Sequence, residues 1–224
     1  MNWNVVLFTV ATAALAVVGS LPLSLALAWL LARKRWPGKI LVEALVTVPL
    51  VLPPVATGFA LLMLFGRYGW LGAILEHWFG LEIVFTWKAV VIAMAVMSFP
   101  LVVLSARMGF ESVDPRLEDA ARSLGAGPWK VFWQITLPLA RRGILAGSVL
   151  GYARALGEFG ATIVFAGNIA GRTTTVPLAI YENVISGDNA AAFHLIIVSV
   201  LLAVGMVALG ERLVRPLPGG AIAG

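Results

Sequence analysis

The chain has 224 residues, of which 60% are hydrophobic and only 12% charged, and its mean hydropathy is +0.95. A soluble domain is about one quarter charged, so the composition excludes an ordinary water-soluble globule and describes an integral membrane protein. The net charge of +5 would suit nucleic acid or anionic lipid, but its placement along the chain follows membrane topology instead. There is no cysteine, which excludes disulfides, zinc–thiolate sites and thiol nucleophiles.

The first twenty residues, MNWNVVLFTVATAALAVVGS, lack the basic start of a secretory signal. Their apolar run continues to Ala32, so a first transmembrane helix is the reading. A helix needs about 20 apolar residues to cross the hydrocarbon core. Five stretches qualify, at 5–32, 41–65, 84–106, 143–166 and 193–214. The fold expected is therefore all-α and integral to the membrane, with one domain over 5–214 and a flexible tail over 215–224. The second stretch is interrupted by Pro49, Pro53 and Pro54. Proline removes a backbone donor and kinks a helix. Such a break serves either packing or the lining of a pathway, where protein or water meets the freed carbonyls.

Basic residues alternate between the two sides. Arg33, Lys34, Arg35 and Lys39 follow the first span, and Arg107, Arg116, Arg122, Lys130, Arg141 and Arg142 fall between the third and fourth. Arg212 and Arg215 follow the fifth, whereas the opposite side holds only Arg67, Lys88 and Arg172. Lysine and arginine accumulate on the cytoplasmic side. The N-terminus is therefore expected outside, and the C-terminus and the 111–138 loop inside.

That loop is polar and hinged. Asp114 and Pro115 read as N-cap and first helical residue, and Glu118 and Asp119 lie in the opening turns, where the helix dipole favours negative charge. Val113, Leu117, Ala120, Ala121 and Leu124 make an apolar stripe at helical spacing. Gly125 fits a left-handed stop, and Pro128 opens a second short helix carrying Trp129, Phe132, Trp133 and Thr136 before Leu137-Pro138 ends it. Two readings stand at this point. One is an amphipathic hairpin lying on the headgroups; the other is a docking element with aromatic anchors.

In the fourth span Gly143, Gly147 and Gly151 recur every four residues, a face that lets helices approach closely. Arg154 lies roughly 16 Å along that helix from Gly143 at 1.5 Å per residue, and Glu158 is four residues on, within pairing reach on one helix face. Charges at such depth face protein or water. The pair is either a structural salt bridge or a source of positive potential for an anion route, with Thr162 continuing the face one turn on. No phosphate-binding Gly-x-x-x-x-Gly-Lys-Ser/Thr loop is present. His77 and His194 are far apart, no His-Glu-x-x-His helix exists, and Ser24, Ser98, Ser105 and Ser148 have no nearby histidine to activate them. Hydrolase chemistry and a metal site thus have no support.

The spacing Asp119-Ala120-Ala121, three residues, Gly125, nine residues, Ile135, one residue, Leu137-Pro138 resembles the cytoplasmic "EAA" loop of ABC importer permeases. The first position departs from that pattern, with Asp119 for Glu and Glu118 just before it. ARALGEFGAT followed by GNIAGRTTTVPLAIY, the PLVLPPVATG run and MSFPLVV resemble the molybdate branch of the family, with sulfate and thiosulfate permeases near. The resemblance implies a type I importer fold with five spans, in the bacterial inner membrane. It also implies a homodimer working with a separate ATPase dimer that carries ATP–Mg, with no cofactor on this chain, and an external oxyanion-binding protein. By the same resemblance Glu118, Asp119, Ala120, Ala121, Gly125, Trp129, Ile135, Leu137 and Pro138 would couple to the ATPase. Pro49, Pro53, Pro54, Ser98, Arg154, Glu158 and Thr162 would line or gate the path, and Asn168, Gly171, Arg172, Thr173, Thr174 and Pro177 would form the outer loop after the fourth span. Tungstate is an alternative cargo. The competing classes are a self-sufficient channel or secondary transporter, for which five spans leave no even inverted repeat, and a membrane scaffold.

Overall fold

A computed structural model describes residues 3–214, and the 215–224 tail lies outside the described residues. Those residues form eleven α-helices and no strand: α1 (Trp3–Arg33), α2 (Lys39–Val51), α3 (Pro54–Phe65), α4 (Trp70–Phe79), α5 (Trp87–Glu111), α6 (Pro115–Ser123), α7 (Pro128–Val131), α8 (Leu137–Leu156), α9 (Gly160–Phe165), α10 (Val176–Ser186) and α11 (Asn189–Val214). A π-helical turn, Phe132–Thr136, joins α7 to α8.

Three of the helices, α1, α5 and α11, are long and apolar enough to span a membrane, and α2 with α3 make a fourth candidate as a broken pair. The bend between α2 and α3 is 113°, far more than a kinked crossing at 41–65. The cause is local. Leu52 and Pro53 are both extended, with ψ of 143° and 132°, because a residue before proline is pushed out of the helical region. Pro54 then occupies the first position of α3, where its missing N–H is harmless. The fourth stretch is likewise broken. α8 stops at Leu156, Gly157 to Phe159 interrupt it, and α9 resumes at Gly160.

The core forms around α5, which lies between α1 and α8. One apolar cluster joins Ala13 and Ala16 of α1 to Ala93, Met94 and Met97 of α5 and Phe165 of α9. A second, at the basic end, joins Ala28 and Leu31 to Val103, Ala106 and Phe110. The glycine face of α8 makes the close approach possible. A methyl group on Gly143 would fall 2.5 Å from Gly109 Cα, and one on Gly147 would fall 2.9 Å from Ser105 Cβ. Backbones this close gain dispersion contacts where lipid offers no hydrophobic contrast between helices. Polar ties add register. Thr9 Oγ1 donates to Val5 O and accepts from Val176 N at 2.9 Å, and the Tyr152 hydroxyl donates to Val10 O at 3.2 Å.

The glycine contact generates a prediction. Gly143→Val should lower thermal stability in detergent by about 3 kcal/mol, at the upper end of the range for overpacking. Gly19→Ala, which meets nothing within 4 Å, should be neutral or slightly stabilising. Thermal unfolding of the two purified variants, followed by circular dichroism, compares them directly.

Candidate functional site

Two constellations stand out, one on the basic side and one where the broken helices meet. On the basic side α6 begins as its sequence predicts. Asp114 accepts from Arg116 N at 2.9 Å, and Pro115 fills the first helical position. It ends in a Schellman arrangement, with Gly125 at φ +85°, Gly125 N donating to Arg122 O, and Ala126 N donating to Ala121 O. Pro128 opens α7.

The orientation of α6 is the reverse of what its apolar stripe suggests. Glu118 is the residue turned inward, 6% exposed, whereas Leu117 is half exposed and Leu124 is 90% exposed. Arg33 Nη2, at the end of α1, donates to Glu118 Oε1 at 2.8 Å and to Val113 O at 3.1 Å. The buried Thr136 hydroxyl donates to the same Oε1 at 2.8 Å. Arg122 approaches Oε2 at 3.4 Å. Asp119, by contrast, points outward and pairs with Arg122 at 2.8 Å. A buried carboxylate is tolerated only when paired and hydrogen-bonded, and Arg33 with Thr136 meets that requirement.

The segment after α7 also departs from expectation. Leu137-Pro138 does not end a helix. Leu137 N donates to Phe132 O, five residues back, and this π turn lets the chain run straight into α8 with Pro138 in its first turn. The extra residue per turn breaks the single aromatic face. Trp129 and Trp133 stay exposed, Thr136 turns inward, and Phe132 packs edge-on against Trp29 and beside Phe110. Ile135 and Leu137 are half-buried and Pro138 is exposed.

The second constellation lies where the two breaks meet. A methyl group on Gly160 would fall 2.7 Å from Pro54 Cβ, and one on Gly58 would fall 2.6 Å from Ala161 O. The start of α3 therefore abuts the start of α9. Arg154 Nη1 donates to Glu158 Oε2 at 2.6 Å, so the expected pair forms, although not along one continuous helix. Glu158 sits beyond the end of α8, 1% exposed, and its Oε1 accepts from Ala161 N at 2.7 Å. It is at once the ion partner of Arg154 and the cap of α9. Thr162 lies on α9, not on the same face of α8. Its hydroxyl and that of Thr57 on α3 are buried with no protein partner among the described residues. Pro49 is half-buried in α2 and Pro53 exposed at the break. Ser98 is fully buried in α5, where its hydroxyl donates to Ala95 O, and it faces Gly151. The loop between α9 and α10 is knitted to itself and to α10. Thr173 Oγ1 accepts from Ile169 N, Thr174 Oγ1 donates to Asn168 Oδ1, and Asn168 Nδ2 donates to Glu182.

Two partners escaped the sequence. Arg33 reads as a topology charge and Thr136 as part of an aromatic face, yet both hold Glu118. The available signal was a carboxylate one residue before the motif on a helix whose other acid could face outward.

One family model matches almost the whole chain. The family model described as "Binding-protein-dependent transport system inner membrane component" covers residues 5–217. The chain belongs to this family. It is 48% identical over 215 residues to the molybdenum transport system permease protein ModB of Escherichia coli K12, covering 96% of this chain and 94% of the relative. The ModB protein of Haemophilus influenzae is 50% identical over 182 residues, covering 81% and 80%. The sulfate transport system permease protein CysW of Synechocystis is 37% identical over 205 residues, covering 92% and 74%. Among solved structures, a bacterial alginate ABC transporter in complex with its alginate-bound periplasmic protein superposes with a TM-score of 0.69 at 18% identity, over 93% of this chain and 76% of that one. An amino acid ABC transporter with histidines gives 0.62 at 21%, over 94% and 91%. At these identities the structures establish the shared permease fold.

The Arg154–Glu158 geometry predicts that Glu158→Ala, which removes the ion partner and the α9 cap together, costs about 3 kcal/mol, the scale of breaking a buried pair. Replacing both residues by methionine should recover about half of that loss, because no unpaired charge remains. Thermal melts of the two variants in detergent measure the difference.

Proposed function

We propose that this chain is the permease subunit of an ATP-driven importer for a tetrahedral oxyanion, molybdate in first place. The observation that carries the reading is the 48% identity to ModB over 96% of the chain. The lower identity to CysW places sulfate second. The working assembly is two copies of the chain, two cytoplasmic ATPase chains binding ATP–Mg, and an external oxyanion-binding protein. The N-terminus lies outside and the C-terminus inside, a reading that the distribution of lysine and arginine supports.

In this mechanism the 111–138 hairpin docks in the ATPase through the outward face of α6: Leu117, Asp119, Ala120, the edge of Ala121, Leu124 and the Gly125 turn, with Trp129 flanking. ATP closure of the ATPase dimer draws the two hairpins together. Glu118 transmits that movement to α1 through Arg33 and to α8 through Thr136, while Ile135, Leu137 and Pro138 join the hairpin to α8 without a hinge. The spans then open outward, the binding protein releases the anion, and hydrolysis resets the cycle. The meeting of α3 and α9 is the gate. Arg154 and the positive end of α3 favour an anion there, Pro49, Pro53 and Pro54 allow the bend, Glu158 holds the arginine, and the unpartnered Thr57 and Thr162 hydroxyls offer donors. Ser98 supports this region from α5.

The test is ATP-dependent uptake of molybdate into proteoliposomes holding the complete complex, with sulfate as competitor. Uptake by the chain without its ATPase would replace this reading with a channel or secondary transporter. Gly125→Val forces a β-branched residue into a left-handed position costing about 1–2 kcal/mol, so molybdate moved per ATP should fall about tenfold while hydrolysis continues. Arg154→Ala should abolish uptake and leave ATPase docking intact. Equal loss of both in that variant would assign Arg154 a folding role.

A further inference from the structure

Two cavities flank the docking hairpin and share one wall residue, Trp29. The first, about 460 Å³, is polar and lined by Arg33, Lys34, Arg35 and Arg122 with Glu118. The second, about 470 Å³, is almost wholly apolar and runs between Pro22, Leu25, Ala26 and Trp29 of α1 and Trp129, Phe132 and Trp133 of the hairpin. We infer that together they form a binding site for one anionic phospholipid, the phosphate in the basic cavity and an acyl chain in the apolar groove. The side of the membrane rests on the orientation proposed above; the pairing of the two cavities does not.

Charge decides the headgroup. Arg33 is matched by Glu118, and Arg122 by Asp119. Lys34 and Arg35 have no acidic partner among the described residues, and Lys34 lies 6.0 Å above the Trp29 ring. The cavity thus keeps two surplus cations where a membrane-spanning helix ends. Basic pockets at that level take up anionic headgroups.

Depth decides the chain. Pro22 lies eleven residues before Arg33, roughly 16 Å deeper along α1 at 1.5 Å per residue. A soluble ATPase cannot reach that wall. Trp129 and Trp133 are 74% and 58% exposed, and tryptophan is favoured at the membrane–water boundary with its ring among the acyl chains. An acyl chain covers the Trp133 ring and the α1 face, and the phosphate at its head meets Lys34 and Arg35. A bound lipid would then touch the same hairpin and the same arginine that Glu118 holds.

The test is native mass spectrometry of the full-length chain released from nanodiscs containing equal phosphatidylglycerol and phosphatidylcholine. The wild type should retain phosphatidylglycerol at least tenfold more than phosphatidylcholine. The double variant K34Q/R35Q should lose that preference, and Trp133→Ala should weaken retention of both lipids. Inorganic phosphate at millimolar concentration should not displace the lipid. Displacement by phosphate would identify a free-anion site instead. Equal retention of the two lipids by the wild type, or unchanged retention in K34Q/R35Q, would overturn the proposal. A second copy of the chain is the other possible cover for the groove. Because the protein lacks cysteine, Ala26→Cys reports it directly: efficient disulfide formation between two chains would also overturn the lipid assignment.

Discussion

A single buried carboxylate fixes how the hairpin is attached to the rest of the molecule. Glu118 is the one buried residue of the short helix α6, and it survives there because Arg33 and Thr136 supply a charge and two donors. The three residues lie on α1, α6 and the entry to α8, 85 and 18 residues apart in sequence from Glu118. Turning Glu118 inward turns Leu117 and Leu124 outward. The exposure of Leu117 and Leu124 and the ionic anchor to the first span are therefore two consequences of one rotation of α6.

The anchor continues directly into the rest of the fold. The π turn carries the hairpin into α8 with no loop to absorb movement, and α8 presses its glycines against α5 at backbone contact. Packed interfaces of this kind shift between discrete arrangements and do not deform continuously. At the other end of α8 the helix breaks at Gly157, Glu158 bridges the break by capping α9 while holding Arg154, and α9 abuts the broken start of α3. The Glu118 cluster and the Arg154 region are thus joined by one helix, 20 residues long.

The sequence was most legible where local rules act alone. Asp114 as a cap, Pro115 and Pro128 as first helical residues, and Gly125 as a left-handed stop all follow from steric and hydrogen-bonding preferences of single residues. The close-packing face of Gly143, Gly147 and Gly151 was legible from spacing. What escaped depended on partners distant in the chain. The amphipathic stripe of α6 pointed Leu117 and Leu124 toward a core, because apolar periodicity cannot tell a buried face from one reserved for a partner. Arg33 and Thr136 gave no local hint of their shared acceptor. The breaks at 52–53 and 157–159 were visible as proline and glycine content, but their size and their meeting are tertiary facts. The π turn has no sequence signal at all and cancelled the helical register from Trp129 to Thr136.

The most direct test of this account is Glu118→Gln in the reconstituted complex, with ATP hydrolysis and molybdate uptake measured on the same vesicles. The account predicts that the ATPase still docks and hydrolyses ATP, since the outward face of α6 is unchanged, while molybdate moved per ATP falls by about tenfold, a loss equivalent to about 1.4 kcal/mol of coupling. An unchanged ratio of uptake to hydrolysis would contradict it and would reduce the Glu118–Arg33–Thr136 cluster to a structural tie.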